Sequence, residues 1–345
     1  MGAPGPGPEA VAALRERLAE LVDGVNAKFR VDERFECGPF PCELHEMVCD
    51  LQRRFGRALA GIYEFGLLDR LEAEFLEMVR PVMNRGAMPE FPSTVLDAWL
   101  MVLRTGLPSG FQDELARPLS ALRSELPGRW ENDEPPPLDG DTGRLFELAS
   151  ERRRRTAADF LVEKVKGADP GQVLGSLIVP VLARVGELWA QNRMSAAEEH
   201  GATEVCRYAM LRALDSIEPS SPGRGRALVA CAPGEEHEMG AEMVAGLLEL
   251  DGWEVFFVGR SAPEGEIVSA ARRFGSKLAL LSSATMATLP GLRDLARALR
   301  GAVPGVKLVA GGDAAVLARD RLAGDFDRVV VSALEGRAAA AELAG

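Results

Sequence analysis

Histidine is scarce in this sequence: the 345 residues include only His45, His200 and His237. Cysteine is also rare, and its odd number, five, argues against a disulfide framework. No uninterrupted apolar run long enough to span a membrane occurs, and the N-terminus lacks the basic and then apolar order of a signal peptide. We therefore expect a cytoplasmic protein with no membrane association.

Basic residues are outnumbered, with 40 Lys and Arg against 52 Asp and Glu, which gives a formal net charge of -12. This charge repels the phosphates of nucleic acid unless a local basic patch overrides it. The run Arg152 to Arg155 is expected to lie inside a helix, where four arginines cover all sides and predict a solvated end that faces a partner. We expect a protein partner, and direct nucleic-acid binding is disfavoured.

Signatures of hydrolytic and redox enzymes are also missing. The sequence contains no nucleophile elbow and no glycine-rich loop that would bind phosphate. The chain is therefore predicted to be a binding or regulatory protein and not an enzyme.

The first part of the chain predicts a helical domain. Residues 1–126 show helical apolar spacing in four or five segments, and the sequence does not indicate a function for this all-α domain. Its first segment, Glu9 to Lys28, is predicted as one amphipathic helix. Residues 127–140 are rich in proline and acidic residues, which predicts a linker.

The next part predicts a four-helix bundle over residues 141–218. Its first helical stretch is expected to run from Leu145 to about Lys166. Ser195 and Glu198 have the spacing of a capping box, so the last long helix is expected to begin there.

Residues 226–345 alternate short apolar strands with helices. This order predicts an α/β domain with a doubly wound parallel sheet of five strands. The first strand is expected from Arg226 to Cys231 and the last from Arg328 to Ser332, with one helix from Ala314 after the fourth strand. The predicted fold class is thus multidomain: an all-α domain, a helical bundle and an α/β domain.

One short segment gathers Cys37, Cys42, His45 and Cys49. These residues could hold zinc, because His45 and Cys49 lie four residues apart and would share a helix face. The spacing matches no common zinc motif, and free cysteine is often a small core residue, so burial of Cys42 and Cys49 is the favoured interpretation. Contact with a second chromophore is a third alternative.

The first strand of the α/β domain leads into a loop with the pattern Glu235-x-His237-x-x-Gly240. Ligands of open α/β sheets bind at the carboxyl ends of the strands, which is where His237 lies. Glu235 is close enough to hold the far ring nitrogen of a metal-ligating histidine, and Gly240 lets a bulky ligand approach the backbone. An ordinary loop histidine is the alternative interpretation.

This stretch resembles the cobalamin-binding domain family, whose hallmark is an acid-x-His-x-x-Gly loop. The two later motifs of that family are present as Ser283-Ala284-Thr285 and Gly311-Gly312. The resemblance implies that His237 is the lower axial cobalt ligand and that the hydroxyls of Ser283 and Thr285 face the base of the buried nucleotide tail. It also implies that Gly311 and Gly312 leave room for that tail. Glu235 stands where most members have Asp.

The bundle carries a second motif, Trp189 followed after nine residues by Glu199-His200. It resembles the motif of CarH-type photoreceptors. These photoreceptors also carry Glu as the acid of the acid-x-His-x-x-Gly loop. The resemblance implies that Trp189 packs on the adenosyl group, that Glu199 hydrogen-bonds it, and that His200 ligates cobalt after light breaks the Co–C bond. A carboxylate at the N-terminal end of a helix, stabilised by the helix dipole, is the alternative for Glu199.

The resemblance implies a light sensor that binds adenosylcobalamin and signals to a partner protein, and a homo-oligomer is expected. A photocobilin-like variant would hold a bilin such as biliverdin beside the cobalamin. Two alternatives from other classes stay open: a corrinoid carrier for a methyltransferase system, and a cobalamin-binding antirepressor or adaptor. Corrinoid carriers share the helical bundle and the acid-x-His-x-x-Gly loop. They lack the motif formed here by Trp189, Glu199 and His200.

Overall fold

The computed structural model describes residues 5–31, 42–126 and 136–344. The chain divides into two compact units. The first comprises Met1–Asp133 with Ala190–Asn192, and the second comprises Glu134–Trp189 with Arg193–Gly345. The predicted linker 127–140 lies largely outside the described residues.

The described part of the first unit is helical, as predicted. Its helices are α1 (Pro8–Glu16), α2 (Leu18–Val31), α3 (Cys42–Phe65), α4 (Leu71–Met83), α5 (Phe91–Gly106) and α6 (Ser109–Glu125). An aromatic cluster forms part of its core, with the ring centroid of Phe55 5.2 Å from that of Phe75 and 5.7 Å from that of Trp99. The buried indole Nε1 of Trp99 donates a hydrogen bond of 2.7 Å to Gln52 Oε1.

The prediction of one helix from Glu9 to Lys28 is wrong, because α1 and α2 are separated at Arg17. The backbone of Arg17 (φ -103°, ψ 9°) leaves helical geometry. Its guanidinium binds the carboxylate of Glu20 at 2.7 Å and also contacts the carbonyl oxygen of Gly106. Leu14 before the break and Leu21 after it are both buried, so the apolar spacing does not reveal the interruption.

The second unit begins with the bundle: α7 (Gly140–Ser150), α8 (Arg154–Val165), α9 (Pro170–Ala190) and α10 (Ala196–Asp215). The capping box is confirmed at α10. Ser195 Oγ accepts from the backbone N–H of Glu198 at 3.3 Å, and the Glu198 carboxylate accepts from the backbone N–H of Ser195 at 2.9 Å.

The predicted helix from Leu145 to Lys166 is also wrong, because Arg152 interrupts it with a positive φ of 58°. The four arginines therefore do not share one helix. Arg152 lies 3.6 Å from the Glu198 carboxylate, and the guanidinium of Arg154 stacks 3.7 Å above the ring of Tyr208. Both contacts are to α10, so tertiary interactions stabilise a break that the residue types do not indicate.

Helix α9 is long and apolar enough to cross a membrane, judged by length and composition only. One such helix is weak evidence for a membrane span. Several of its apolar side chains instead belong to the core of the bundle. They are fully or almost fully buried: Leu174, Ile178, Val181 and Val185.

The predicted five-stranded parallel sheet is confirmed, in the order β2-β1-β3-β4-β5. Its strands are β1 (Arg226–Cys231), β2 (Glu254–Gly259), β3 (Leu278–Ser282), β4 (Lys307–Gly311) and β5 (Arg328–Val329). The last strand is shorter than predicted. After β1 the chain adds β2 on one side and β3 on the other, so the switch point of the sheet lies between β1 and β3.

Helices connect and cover these strands: α11 (Met239–Leu250), α12 (Glu264–Phe274), α13 (Leu289–Ala302), α14 (Asp313–Leu317), α15 (Arg319–Leu322) and α16 (Ala333–Ala344). The single helix predicted from Ala314 is divided at Ala318 (φ -91°, ψ 10°). Met243 and Leu247 of α11 are buried in the same apolar cluster as the core of the bundle. The bundle and the sheet part therefore share a hydrophobic interface.

Candidate functional site

The residues singled out in the α/β part meet at the switch point of the sheet. The loop after β1 carries Glu235 and His237, and the loop after β3 carries Ser283 to Thr285. The two strand ends are joined by a hydrogen bond of 2.8 Å from the backbone N–H of Ala232 to the carbonyl of Ser282. This edge is where open α/β sheets bind their ligands.

Glu235 is the centre of this arrangement, since its side chain is only 1% exposed. One carboxylate oxygen accepts from the imidazole Nδ1 of His237 at 2.6 Å and from the backbone N–H of the same residue at 3.0 Å. The other oxygen accepts from the backbone N–H of Ala284 at 2.8 Å and from the hydroxyl of Thr288 at 2.8 Å. One carboxylate therefore joins the loop after β1 to the loop after β3.

These contacts decide the charge of Glu235. Burial acts to raise its pKa, but the hydrogen bonds from the side chain and backbone of His237, with the hydroxyl of Thr288, outweigh burial and lower the pKa to about 2. The carboxylate is thus ionised at neutral pH. With Nδ1 of His237 donating to it, the lone pair of the imidazole is on Nε2, as in a metal-ligating histidine held by a carboxylate. The His237 side chain is 64% exposed, so a ligand can reach it.

The carboxylates on either side of His237 are held by other elements. Glu238 Oε1 lies 2.9 Å from the Arg207 guanidinium of α10, and its Oε2 accepts from the backbone N–H of Arg260 at 3.2 Å. Glu236 accepts from the hydroxyl of Ser261, and its carboxylate lies 3.6 Å from the Arg260 guanidinium. The loop that carries His237 therefore contacts the segments after β2 and β3 and helix α10 of the bundle. These contacts limit the orientations of the His237 side chain.

The hydroxyls after β3 form a small buried network. Ser283 is fully buried, and its hydroxyl lies 2.7 Å from that of Thr288. The hydroxyl of Thr285 lies 3.5 Å from Glu235 Oε2, at the limit of a hydrogen bond. Contact of Ser283 and Thr285 with a nucleotide base stays a prediction. Sequence reasoning missed Thr288, which lies on one turn of a 3-10 helix (Met286–Thr288), and no sequence motif pointed to it.

The glycines of the motifs have different roles. Gly312 has a φ of 95°, and a Cβ there would come within 2.6 Å of the Ser283 carbonyl carbon, so the protein itself requires glycine. A Cβ on Gly311 would meet Val330 at an ordinary 3.5 Å. A Cβ on Gly240 would meet no protein atom within 4 Å. Packing within the protein does not explain Gly240, whereas the approach of a large ligand would.

In the bundle, the structure brings Glu199 and His200 together near the start of α10. One oxygen of the Glu199 carboxylate contacts His200 Nδ1, and the other accepts from the hydroxyl of Thr203 at 3.0 Å. The Glu199 side chain is 24% exposed and that of His200 is 79% exposed. Trp189 is half-buried in the last turn of α9. Thr203, one turn after Glu199, is a partner that sequence reasoning missed.

The zinc interpretation of the cysteine segment remains a prediction. Cys37 and the side chain of Cys42 lie outside the described residues. His45 is exposed and Cys49 half-buried, with 3.8 Å between His45 Nε2 and Cys49 Sγ. Within 5–31, 42–126 and 136–344, no group of three or more His, Cys, Asp or Glu residues is placed to hold a metal ion.

A five-stranded parallel sheet with a carboxylate-held, accessible histidine at its switch point, packed against a helical bundle, is the arrangement expected of a cobalamin-binding protein. Family models agree with this assignment. A model described as "B12 binding domain" matches residues 225–344, and a second with the same description matches residues 139–213. The chain therefore belongs to the B12-binding domain family, and it binds cobalamin.

Individual relatives fall into two kinds. The chain is 27% identical over 201 residues to the HTH-type transcriptional repressor CarH of Myxococcus xanthus, an alignment that covers 57% of this chain and 66% of the repressor, just under two thirds. It is 29% identical over 179 residues to dimethylamine corrinoid protein 1 of Methanosarcina acetivorans, covering 50% of this chain and 84% of that protein.

A solved structure, that of the Methanosarcina barkeri monomethylamine corrinoid protein, matches with a TM-score of 0.47 at 18% sequence identity. The match covers 58% of this chain and 96% of that protein.

Proposed function

We propose that the chain is a light sensor that uses adenosylcobalamin and passes its signal to a partner protein. The single observation that supports a sensor over a carrier is the contact between Glu199 and His200 near the start of α10. This pair follows Trp189 at the spacing found in CarH-type photoreceptors. The similarity to the CarH repressor supports the same proposal.

The residues at the switch point fit a cobalamin. The donor set is an imidazole with its lone pair on Nε2, held by a buried carboxylate, and Gly240 leaves open space beside it. His237 would hold the cobalt from below. Ser283, Thr285, Gly311 and Gly312 would accommodate the nucleotide tail.

When bound, adenosylcobalamin supplies a cobalt–carbon bond that light breaks. Trp189 would exclude water from the adenosyl group, and Glu199 would hydrogen-bond it. Glu199 also holds Nδ1 of His200, which places the lone pair of His200 on Nε2, where it can ligate a metal. His200 would be the second residue able to hold the metal, and a shift of α10 would carry the signal.

Illumination is expected to change the spectrum of the protein reconstituted with adenosylcobalamin. Green light should convert the dark spectrum into the stable spectrum of a cobalamin that two histidines ligate. His200→Ala should bind in the dark as the wild type does but should not reach that stable product, because the upper ligand is missing. Absorption spectra before and after illumination measure this.

A matched control is His45→Ala, which removes an exposed histidine from the other unit and should behave as wild type. An unchanged spectrum of the wild type after illumination would contradict the light-sensing proposal. So would a His200→Ala product identical to that of the wild type.

A corrinoid carrier is the second candidate, favoured by the similarity to dimethylamine corrinoid protein 1. In that function the cobalt would shuttle a methyl group between partner methyltransferases in the dark, and His200 would be dispensable. The light experiment separates the two candidates. A second bilin chromophore would be a variant of the sensor, whereas an antirepressor or adaptor role would be an alternative of another class.

A further inference from the structure

Two arginines join the bundle to the α/β part at opposite ends of α11. Arg207 of α10 contacts Glu238 and Glu242 at the start of α11. Arg337 of α16 contacts Asp251, just after α11, and Asp169, just before α9. Since α11 has 12 residues, its two ends lie about 18 Å apart. Only Arg207 is adjacent to the loop that carries His237.

Arg207 uses its whole guanidinium in these contacts. Its Nη2 donates a hydrogen bond of 3.0 Å to Glu242 Oε1, and its Nε lies 2.8 Å from Glu242 Oε2 as an ion-pair contact. Its Nη1 lies 2.9 Å from Glu238 Oε1. The Glu238 and Glu242 side chains are only 13% and 11% exposed, and the Arg207 side chain is 28% exposed. A charge-assisted hydrogen bond that is largely shielded from water is stronger than a surface ion pair.

The contact between Arg207 and Glu238 affects the His237 loop because of where Glu238 lies. Glu238 directly follows His237, and its second oxygen accepts from the backbone N–H of Arg260. A Cβ on Gly259 would come within 2.9 Å of that oxygen, so the carboxylate is packed closely on this side too. Loss of Arg207 would leave Glu242 without its cation and Glu238, one helical turn away, with only the Arg260 guanidinium at 3.7 Å. Their repulsion would act on the residue next to the cobalt ligand.

We propose that Arg207 is a positioning residue that fixes the His237 loop against the helix bearing Glu199 and His200, and so raises cobalamin affinity without touching the cobalamin. The inference rests on cobalamin binding at His237 but not on light sensing. It also makes the lower ligand sensitive to movement of α10.

Arg207→Ala and Arg337→Ala form a matched pair of variants. Each removes an arginine whose ion pairs link the bundle to the α/β part, so both should lower the Tm of the protein without cobalamin. Only Arg207→Ala should weaken dark binding of hydroxocobalamin, by up to about tenfold. That is the lower end of the cost of losing a direct partner of a metal ligand, because Arg207 acts through Glu238. It should also shift the dark absorption bands of bound cobalamin. Arg207→Lys keeps the positive charge but not the several N–H donors of the guanidinium, so its Kd should be intermediate. It replaces Arg207→Ala in the test if the alanine variant does not fold.

The outcomes separate this inference from the proposed function. Equal loss of affinity in both alanine variants, or an unchanged Kd and spectrum in Arg207→Ala and Arg207→Lys, would overturn it. A loss confined to Arg207, in a protein whose spectrum does not respond to light, would support the inference and contradict light sensing. A wild type that binds no cobalamin would overturn both.

Discussion

Replacing His237 by alanine is expected to remove the axial nitrogen on which cobalamin binding depends. The imidazole is the accessible donor at the switch point, and the buried Glu235 carboxylate holds its Nδ1 at 2.6 Å. Loss of an outer partner typically costs a metal site roughly 10- to 100-fold in affinity, so loss of the ligand itself should cost more. The measurement is a titration with hydroxocobalamin in the dark, followed by absorbance.

The stability of the protein separates this effect from unfolding. His237 is 64% exposed, and without its imidazole Glu235 keeps the backbone N–H groups and the Thr288 hydroxyl, so truncation should lower the Tm of the cobalamin-free protein much less than Glu235→Ala does. His200→Ala is the control, because it removes an exposed histidine of the upper face and should retain dark binding. Binding of His237→Ala with wild-type affinity would show that another group holds the cobalt.

Replacing Glu235 by alanine is expected to destabilise the α/β part by several kcal/mol, because each buried polar group left without a partner costs about 1–3 kcal/mol. The carboxylate is the acceptor for the backbone N–H groups of Ala284 and His237 and for the hydroxyl of Thr288. Without it, the loops after β1 and β3 lose their shared anchor. Urea unfolding of the cobalamin-free protein measures the loss.

Glu236→Ala is the matched control, since Glu236 is the next residue and its side chain is 63% exposed. Its removal should change the unfolding free energy little. Glu235→Gln keeps the shape but places an amide N–H₂ against donors, so it should also destabilise the protein. Equal stability of the Glu235 and Glu236 variants would contradict the central role given to the buried carboxylate.

Some features of the fold follow directly from sequence. The run from Ala227 to Cys231 is apolar and lies between a glycine and a proline, and β1 has the predicted limits, Arg226 to Cys231. The capping box at Ser195 sets the start of α10, because two reciprocal hydrogen bonds are local and depend on residue type alone. The contact between Glu235 and His237 is also local. The two residues lie two positions apart, so their contact needs little tertiary context.

Other features depend on contacts distant in sequence and were not predictable. The breaks at Arg17 and Arg152 keep the apolar spacing of their neighbours, and each is associated with contacts to a distant segment. Thr288 contacts Glu235 from 53 residues away in the chain, and Arg207 contacts Glu238 from 31 residues away. No local pattern marks a residue for that purpose.

Glu199 lies between these cases. At helical spacing Glu199 shares one face with small apolar residues, namely Ala202, Cys206, Ala209 and Ala213, and a carboxylate there is costly to bury without a partner. The structure supplies two, Thr203 one turn later and the adjacent His200. The sequence indicated the need for a partner, and the helix geometry determined which side chains meet it.

We propose that His237 holds the cobalt, so the nitrogen on the metal should belong to a histidine of the protein. Electron paramagnetic resonance of bound, one-electron-reduced cobalamin measures this, in protein grown with histidine that carries the heavy nitrogen isotope. The triplet splitting from the axial nitrogen should become a doublet on labelling, in wild type and His200→Ala alike. A triplet that labelling leaves unchanged would place the vitamin's own base on the metal and would show that His237 does not hold it.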